Sequence, residues 1–474
     1  MVSFLLSLVA LLLGYLFYSK LVERIFGAND SIETPAKRIH DGVDFVELDW
    51  KRAFLIQFLN IAGLGPIFGA IAGAYWGPSA FLWIVLGSIF AGATHDYFSG
   101  MLSVRNNGET IGEIVGRYLG TSAKTVMRIF SVILLVLVGV VFMSGPAGLL
   151  ENMTGINQFF FLALIIVYYI FATVLPIDKI IGKIYPIFGA ALLIMGVGII
   201  GGIIIGGYTI PEITFTNMHP TGKSIFPYLF VTIACGAISG FHATQSPLMA
   251  RCLKTEKEGR RVFYGAMITE GVVALIWAAA AMSFYGSTEA LSQAGTQAVV
   301  VNEISRTLLG PVGGILAVLG VVAAPITSGD TAFRSARLAI ADAFNIKQDK
   351  FSARFAIAIP LFVVGIALCF IDFTIIWRYF AWSNQTLATI ALWTSATYLY
   401  KNNKPHWIAS IPATFMTAVV VSYIIIAPEG LRLGEQIGTP VGLGVAIFTF
   451  AFFLYKAHQA KQYGLASAGA SSGK

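Results

Sequence analysis

The stretch FLNIAGLGPIFGAIAGAYWG, Phe58–Gly77, is apolar enough to lie within a bilayer, yet it holds five glycines and a proline. Gly63, Gly65 and Pro66 stand at its middle. In a helix interior glycine costs about 1 kcal/mol and proline about 3 kcal/mol relative to alanine. A membrane-length segment with its worst helix formers at the centre reads as a helix interrupted at membrane depth. Non-helical backbone persists there only where protein or a wet cavity surrounds it. Freed carbonyls can then hold a cation, and the N-terminus of the following half-helix can hold an anion. The other reading of the glycines is close helix–helix packing of small residues. Pro66 directly after Gly65 favours the interruption.

The rest of the chain agrees with a membrane setting. Of 474 residues, 57% are hydrophobic and 12% charged, against about 25% charged in a soluble domain. A span needs about 20 apolar residues. Thirteen stretches qualify, near 2–18, 53–75, 79–104, 124–145, 158–175, 182–207, 225–250, 261–286, 312–335, 352–371, 378–400, 406–427 and 439–456. Alternate loops on one side then collect 27 of the 31 Lys and Arg. The other side keeps only Lys223, Arg306, Arg378 and Arg432. The positive-inside rule puts the N-terminus outside and the C-terminus in the cytoplasm. The net charge of +7 follows these loops and is no nucleic-acid signal. The start lacks a basic leader region and a small-residue cleavage site, so it reads as a retained first helix. The tail ASAGASSGK is expected to be disordered. Cys235, Cys252 and Cys369 have no metal-ligand spacing and read as packed thiols.

A second interruption is expected in AISGFHATQSPLM, Ala237–Met249, with Ser239, Gly240, Thr244, Ser246 and Pro247 at the centre of the span 225–250. It lies five spans after the first and runs the opposite way. Two broken helices in corresponding, antiparallel positions are the pattern of an inverted-repeat transporter. The organisation read from this is an extra helix and linker over 1–52, a first five-helix repeat over 53–207, a second over 208–404, and two further helices with a tail over 405–474. The halves show no strong residue-level similarity, so the repeat rests on topology and the two breaks.

HDGVDFVE (His40–Glu47), NIAGLGPIFGA (Asn60–Ala70), FAGATHDYFSGMLSVRNNGETIGEIVGRYLG (Phe90–Gly120) and SGFHATQSPLMARCLK (Ser239–Lys254) resemble the carbon starvation protein A family. The resemblance runs from about residue 35 to 400. It implies uptake of peptides, or in some members pyruvate, and a LeuT-like core of five plus five helices in the amino acid–polyamine–organocation superfamily. Where larger members read proline after DGVDFV, this chain has Glu47. Their paired histidines before the first break are replaced here by Ile56 and Gln57.

Ionisable groups in lipid cost at least about 2.5–3.5 kcal/mol on insertion scales and are functional candidates by default. His95 and Asp96 are sequence neighbours, point to different sides of a helix, and read as a gating element or as an inner-surface network with Arg105. Glu270 lies deep in the eighth span, and a buried carboxyl favours its protonated form. It is a proton carrier or a structural carboxylate. His242 can bind a carboxylate or relay a proton, or be a satisfied core histidine. Gln245 and Ser246 offer neutral hydrogen bonds beside it. In the LeuT-like arrangement the resemblance implies, Thr327, Ser328 and Thr331 face the first break and complete an oxygen cage for a hard cation. Otherwise they bond between helices. Asp330 has Arg334 at i+4 and reads first as an ion pair. In RYFAWSNQTLA (Arg378–Ala388), Trp382, Asn384 and Gln385 are candidates for an outer vestibule or gate. The acidic stretch His40–Trp50 and the helix expected in Asn106–Gly120 can each lock against the basic loop Ala250–Arg261, or be plain surface.

Other classes fit poorly. HPTGKS (His219–Ser224) has Asn217 where a phosphate loop needs glycine, and no H-E-x-x-H is present. The expectation is therefore an all-α, non-enzymatic secondary transporter of the inner membrane with no cofactor, no metal and no nucleic-acid partner. Its substrate lies between the breaks at Asn60, Gly63, Gly65, Pro66, Ser239, Gly240, His242 and Gln245. A substrate carboxylate meets the half-helix after Pro66, or His242. Glu270, Thr327, Ser328, Asp330 and Thr331 are the ion-coupling candidates, with H⁺ or Na⁺ open. Short peptides are the first substrate class and pyruvate the second. A nutrient sensor that binds without transport is the rival of another kind.

Overall fold

The computed structural model, which describes residues 1–41, 44–174, 178–344, 346–348 and 350–471, is helical over most of each expected span. In chain order the principal helices are α1 Val2–Phe26, α2 Trp50–Ile61, α3 Gly65–Trp76, α4 Ser79–Arg105 and α5 Ile111–Leu119. Next come α6 Thr121–Thr154, α7 Gln158–Val174, α8 Asp178–Ile205, α9 Tyr228–Thr232, α10 Gly240–Ala250 and α11 Arg260–Tyr285. The last are α12 Gln297–Ala343, α13 Phe351–Leu368, α14 Phe373–Lys401, α15 Trp407–Ile426 and α16 Glu435–Ser471. Among the described residues nine helices are long and apolar enough to cross a membrane, or ten if the bent pair α2–α3 is one span. Of the other expected spans, 158–175 is the shorter α7, 225–250 is split into α9 and α10, and 378–400 lies in α14 beside Arg378, Asn384 and Gln385.

Burial divides the bundle into core and rim. In α4 and α11, 83% of the apolar window is buried, against 22% in α13 and α16. The rim helices turn Leu6, Val363 and Phe448 outward, as a lipid-facing surface requires. The expected disordered tail is instead a continuation of α16 to Ser471, in keeping with the helix propensity of its alanines. Residues 472–474 lie outside the described residues.

The first break is short. The helix ends at Ile61, Ala62 leaves helical geometry (φ −84°, ψ 48°), and α3 departs at 49° from α2. Pro66 sits in the first turn of α3, where its missing N–H leaves nothing unpaired. The second break is longer and lies earlier than the sequence reading put it. Residues 233–239 are non-helical, and Thr244, Ser246 and Pro247 belong to α10. The hydroxyls explain the shift. Thr244 donates to the Phe241 carbonyl at 2.6 Å and Ser246 to the His242 carbonyl at 2.9 Å, within their own helix. The two breaks touch. A Cβ on Gly65 would stand 2.2 Å from the Cys235 Cβ, so interruption and small-residue packing both act at this position.

Candidate functional site at the contact of the broken helices

Three core helices bring four ionisable side chains into one buried line. His95 and Asp96 come from α4, His242 from the first turn of α10, and Glu270 from α11. A wide π-helical turn over Gly87–Gly92 precedes the α4 pair, a rare geometry enriched at functional sites. Asp96 Oδ1 lies 2.8 Å from His95 Nδ1, and Asp96 Oδ2 lies 2.8 Å from His242 Nδ1. His242 Nε2 stands 3.3 Å from Glu270 Oε2. All four side chains are 0% exposed. The last contact has ion-pair distance without hydrogen-bond alignment. His242 Nε2 and both Glu270 oxygens have no hydrogen-bond partner among the described residues.

This arrangement corrects three expectations. Adjacency does not keep His95 and Asp96 apart, because the short aspartate turns one oxygen back to its neighbour and the other across to α10. Arg105 is not in their network. It pairs with the buried Glu256, at 2.8 Å through Nη2, and with the Gly27 carbonyl at 2.9 Å. His242 also lies just after the second break rather than inside it.

The backbone freed by the second break is satisfied by protein. Trp83 Nε1 donates to the Ile233 carbonyl at 3.1 Å and Ser88 Oγ to the Gly236 carbonyl at 3.0 Å. Gln385 Nε2 donates to the Phe230 carbonyl. Asn384 Oδ1 accepts from Ser239 Oγ at 3.0 Å and from the Phe241 N–H at 2.7 Å, so it caps α10. Asn384 and Gln385 therefore hold the break together and do not line an outer vestibule. Trp382 donates to the Val420 carbonyl at 3.0 Å and ties α14 to α15. The sequence reading passed over Trp83 and Ser88, because a lone indole and a lone hydroxyl in an apolar run look like ordinary packing.

The proposed cation cage is not assembled. Thr327 and Thr331 donate to carbonyls of their own helix at 2.7 and 3.2 Å. Ser328 alone reaches α2, with its Oγ 3.4 Å from the Leu59 carbonyl. Asp330 lies 3.7 Å from Arg334, the plain ion pair. Asn60 is buried on α2, and Gln57 on the same helix donates to Ser246 Oγ at 3.3 Å. Gln245 Nε2 donates to Thr244 Oγ1 at 3.0 Å, and its Oε1 has no partner among the described residues. Among the described residues no group of three or more His, Cys, Asp or Glu is arranged to hold a metal ion.

Both approaches to the breaks are covered. A cavity of about 470 Å³, lined by Glu151, Asn152, Gln158, Gln297 and Asp372, reaches down to Phe68, Phe373 and Ile376. Phe68 packs there on Phe373 and Trp377, with ring centroids 6.0 and 6.1 Å apart. At the opposite end, the acidic stretch lies on the basic loop. Leu48 N donates to the Cys252 carbonyl at 3.0 Å in a parallel bridge to Leu253.

Comparisons with known proteins follow this geometry. The family model for carbon starvation protein CstA matches residues 1–154, 144–307 and 285–423. A Haemophilus influenzae protein named only as an uncharacterized membrane protein is 43% identical over 348 residues, 62% of this chain and 94% of that protein. The Helicobacter pylori peptide transporter CstA is 28% identical over 337 residues, 56% of this chain and 48% of that protein. That match spans about half the transporter's length. The Escherichia coli peptide transporter CstA is 23% identical over 548 residues, 85% of this chain and 78% of that protein. A solved manganese transporter variant from Eremococcus coleocola overlays with a TM-score of 0.54 at 14% identity, covering 87% of this chain and 98% of that one. This last likeness is one of fold.

Proposed function

Because the chain belongs to the carbon starvation protein CstA family, we propose that it is a secondary transporter that imports short peptides across the inner membrane by alternating access coupled to protons. The reading takes 53–207 and 208–404 as inverted repeats and 1–52 and 405–474 as additions to them. The printed names of the Helicobacter and Escherichia relatives support a peptide substrate. The substrate lies between the breaks, and the N-terminus of α3 receives its carboxylate. His242, already engaged by two carboxylates, carries a proton instead.

The observation that carries the coupling is the buried line Asp96–His242–Glu270. With Nδ1 held by Asp96, His242 meets Glu270 through Nε2, and one proton serves both. A neutral imidazole needs a protonated Glu270, and an ionised Glu270 needs an imidazolium. Removing that proton leaves two carboxylates in a dry interior without a cation between them, which desolvation opposes strongly. His242 and Glu270 stand on different helices, so movement of α10 against α11 changes how firmly the proton is held. Engagement of Thr327 and Thr331 by their own carbonyls favours protons over Na⁺ in this reading.

The test is uptake into proteoliposomes of labelled dipeptide and labelled pyruvate, each under an imposed proton or sodium gradient. Dipeptide is expected to accumulate about tenfold under an inward proton gradient, a driving force of about 1.4 kcal/mol. Glu270→Gln is expected to abolish accumulation while sparing dipeptide exchange, and His242→Ala to abolish both. Accumulation of pyruvate alone would replace the substrate, and sodium dependence would restore the hydroxyl cage. Binding without accumulation of either compound would make the chain a sensor.

A further inference from the structure

A groove of about 640 Å³ opens between the α5–α6 elbow, α14 and α16, at the end of the bundle where the basic loops lie. Its volume is within the range of about 300–1,000 Å³ usual for small-molecule sites. The walls are apolar and aromatic, with Leu119, Val126, Ile390, Trp393, Phe452 and Phe453. Two cations, Lys401 and Lys456, line it as well, and no carboxylate does. Lys401 Nζ lies 3.4 Å from the Tyr118 carbonyl and 5.6 Å from the Tyr118 ring centroid. Lys456 Nζ lies 5.8 Å from the Phe452 ring centroid.

The neighbouring cations are treated differently. Lys124 and Arg128 each lie 2.5 Å from a Glu113 oxygen, and Arg117 lies 2.7 Å from Glu109. Among the described residues Lys401 and Lys456 form no ion pair with a carboxylate. The elbow thus supplies glutamates to its own cations, whereas the groove sets Lys401 against the Tyr118 carbonyl and ring and Lys456 against the Phe452 ring, with no carboxylate in its lining. An apolar slot on the membrane face with a pair of ammonium groups is complementary to an anionic amphiphile. Juxtamembrane lysines are attracted by the anionic lipids of a cytoplasmic leaflet.

We propose that this groove binds one anionic glycerophospholipid, with an acyl chain lying along the wall that the packed rings of Trp393 and Phe453 form and the phosphate between Lys401 and Lys456. The bound lipid joins α16 to α14, the helix whose Asn384 caps the second half-helix. The proposal is independent of what the protein transports.

The experiment is a native mass spectrometry titration of the purified full chain with phosphatidylglycerol, phosphatidylcholine of the same acyl chains, and inorganic phosphate. Phosphatidylglycerol is expected to bind about tenfold more tightly than phosphatidylcholine. Lys401→Gln with Lys456→Gln is expected to bring that ratio to about one. Lys124→Gln, which alters a cation committed to Glu113, keeps it. Thr397→Phe fills the slot and is expected to weaken both lipids with the lysines in place. The single exposed change Lys456→Gln, which leaves packing untouched, is expected to lower the ratio in part. Equal binding of the two lipids to the unaltered chain overturns the proposal. So does an unchanged preference in the double variant, unchanged binding in Thr397→Phe, or competition by phosphate as strong as that of phosphatidylglycerol.

Discussion

Gly65 has no room for a side chain because Cys235 of the other break occupies the space a Cβ would need. Overpacking of this kind costs about 1–3 kcal/mol. Gly65→Ala is expected to lower the unfolding temperature in detergent, and Cys235→Gly, which removes the opposing Cβ, is expected to restore more than half of the loss. Strict additivity of the two changes would show that the sites do not couple. The same scale shows what one residue's neighbours in sequence cannot tell. Glu270 and His242 were legible as buried ionisable groups in an apolar chain. The link from His242 to Asp96 was not, since it joins residues 146 positions apart along the chain. Asn384 read as a vestibule residue because the Ser239 hydroxyl and Phe241 N–H that it accepts from lie in a different predicted helix.

Among the elements, α3 and α14 pack together through Phe68, Phe373 and Trp377. Phe68→Ala with Trp377→Ala is expected to open a path from the cavity above Phe68 to the breaks. The buried Cys235 thiol should then react with an external methanethiosulfonate about tenfold faster, which corresponds to an opening made about 1.4 kcal/mol easier. Unchanged labelling would move the gate elsewhere. The loop between α8 and α9 is held over the end of α3 by His219, whose ring lies 4.4 Å from that of Trp76 and 6.1 Å from that of Tyr75. Burial, then repulsion from Lys223, pushes its imidazole down from 6.5 to about 4. The undocked loop therefore takes up a proton as pH falls through about 6.5, while the docked loop refuses it until about 4. Docking is full above that window and weakens as pH falls through it. Proteolysis within 206–227 is expected to be faster at about pH 5 than at neutral pH, and His219→Asn is expected to remove the difference. The helices themselves were legible because apolar runs of membrane length have few other uses. The position of the second break was not, since a hydroxyl bonded to its own helix and one freeing the backbone look alike in sequence.

For the whole molecule, the sorting of basic loops makes a topological claim that labelling can check. In a background free of native cysteines, a cysteine at Lys223 should react in intact cells, and one at Lys257 only after permeabilisation. Reaction of both, or the reverse order, would invert or break the assigned orientation. The fold class followed from composition and the two glycine-rich interruptions. The aromatic packing beside the first break did not, because it joins residues from opposite halves of the chain. One helix then ties these regions together. α14 starts beside the cavity that reaches Phe373, caps the second break at Asn384, and ends at the groove at Lys401. Its 29 residues make a rod about 43 Å long at 1.5 Å per residue. Pivoted at Asn384, a tilt of about 10° swings the Lys401 end by about 4 Å and the Phe373 end by about 3 Å in the opposite sense. A rod held at its middle in this way couples its two ends, so a shift that lifts the Lys401 end away from its neighbours presses the Phe373 end toward its own.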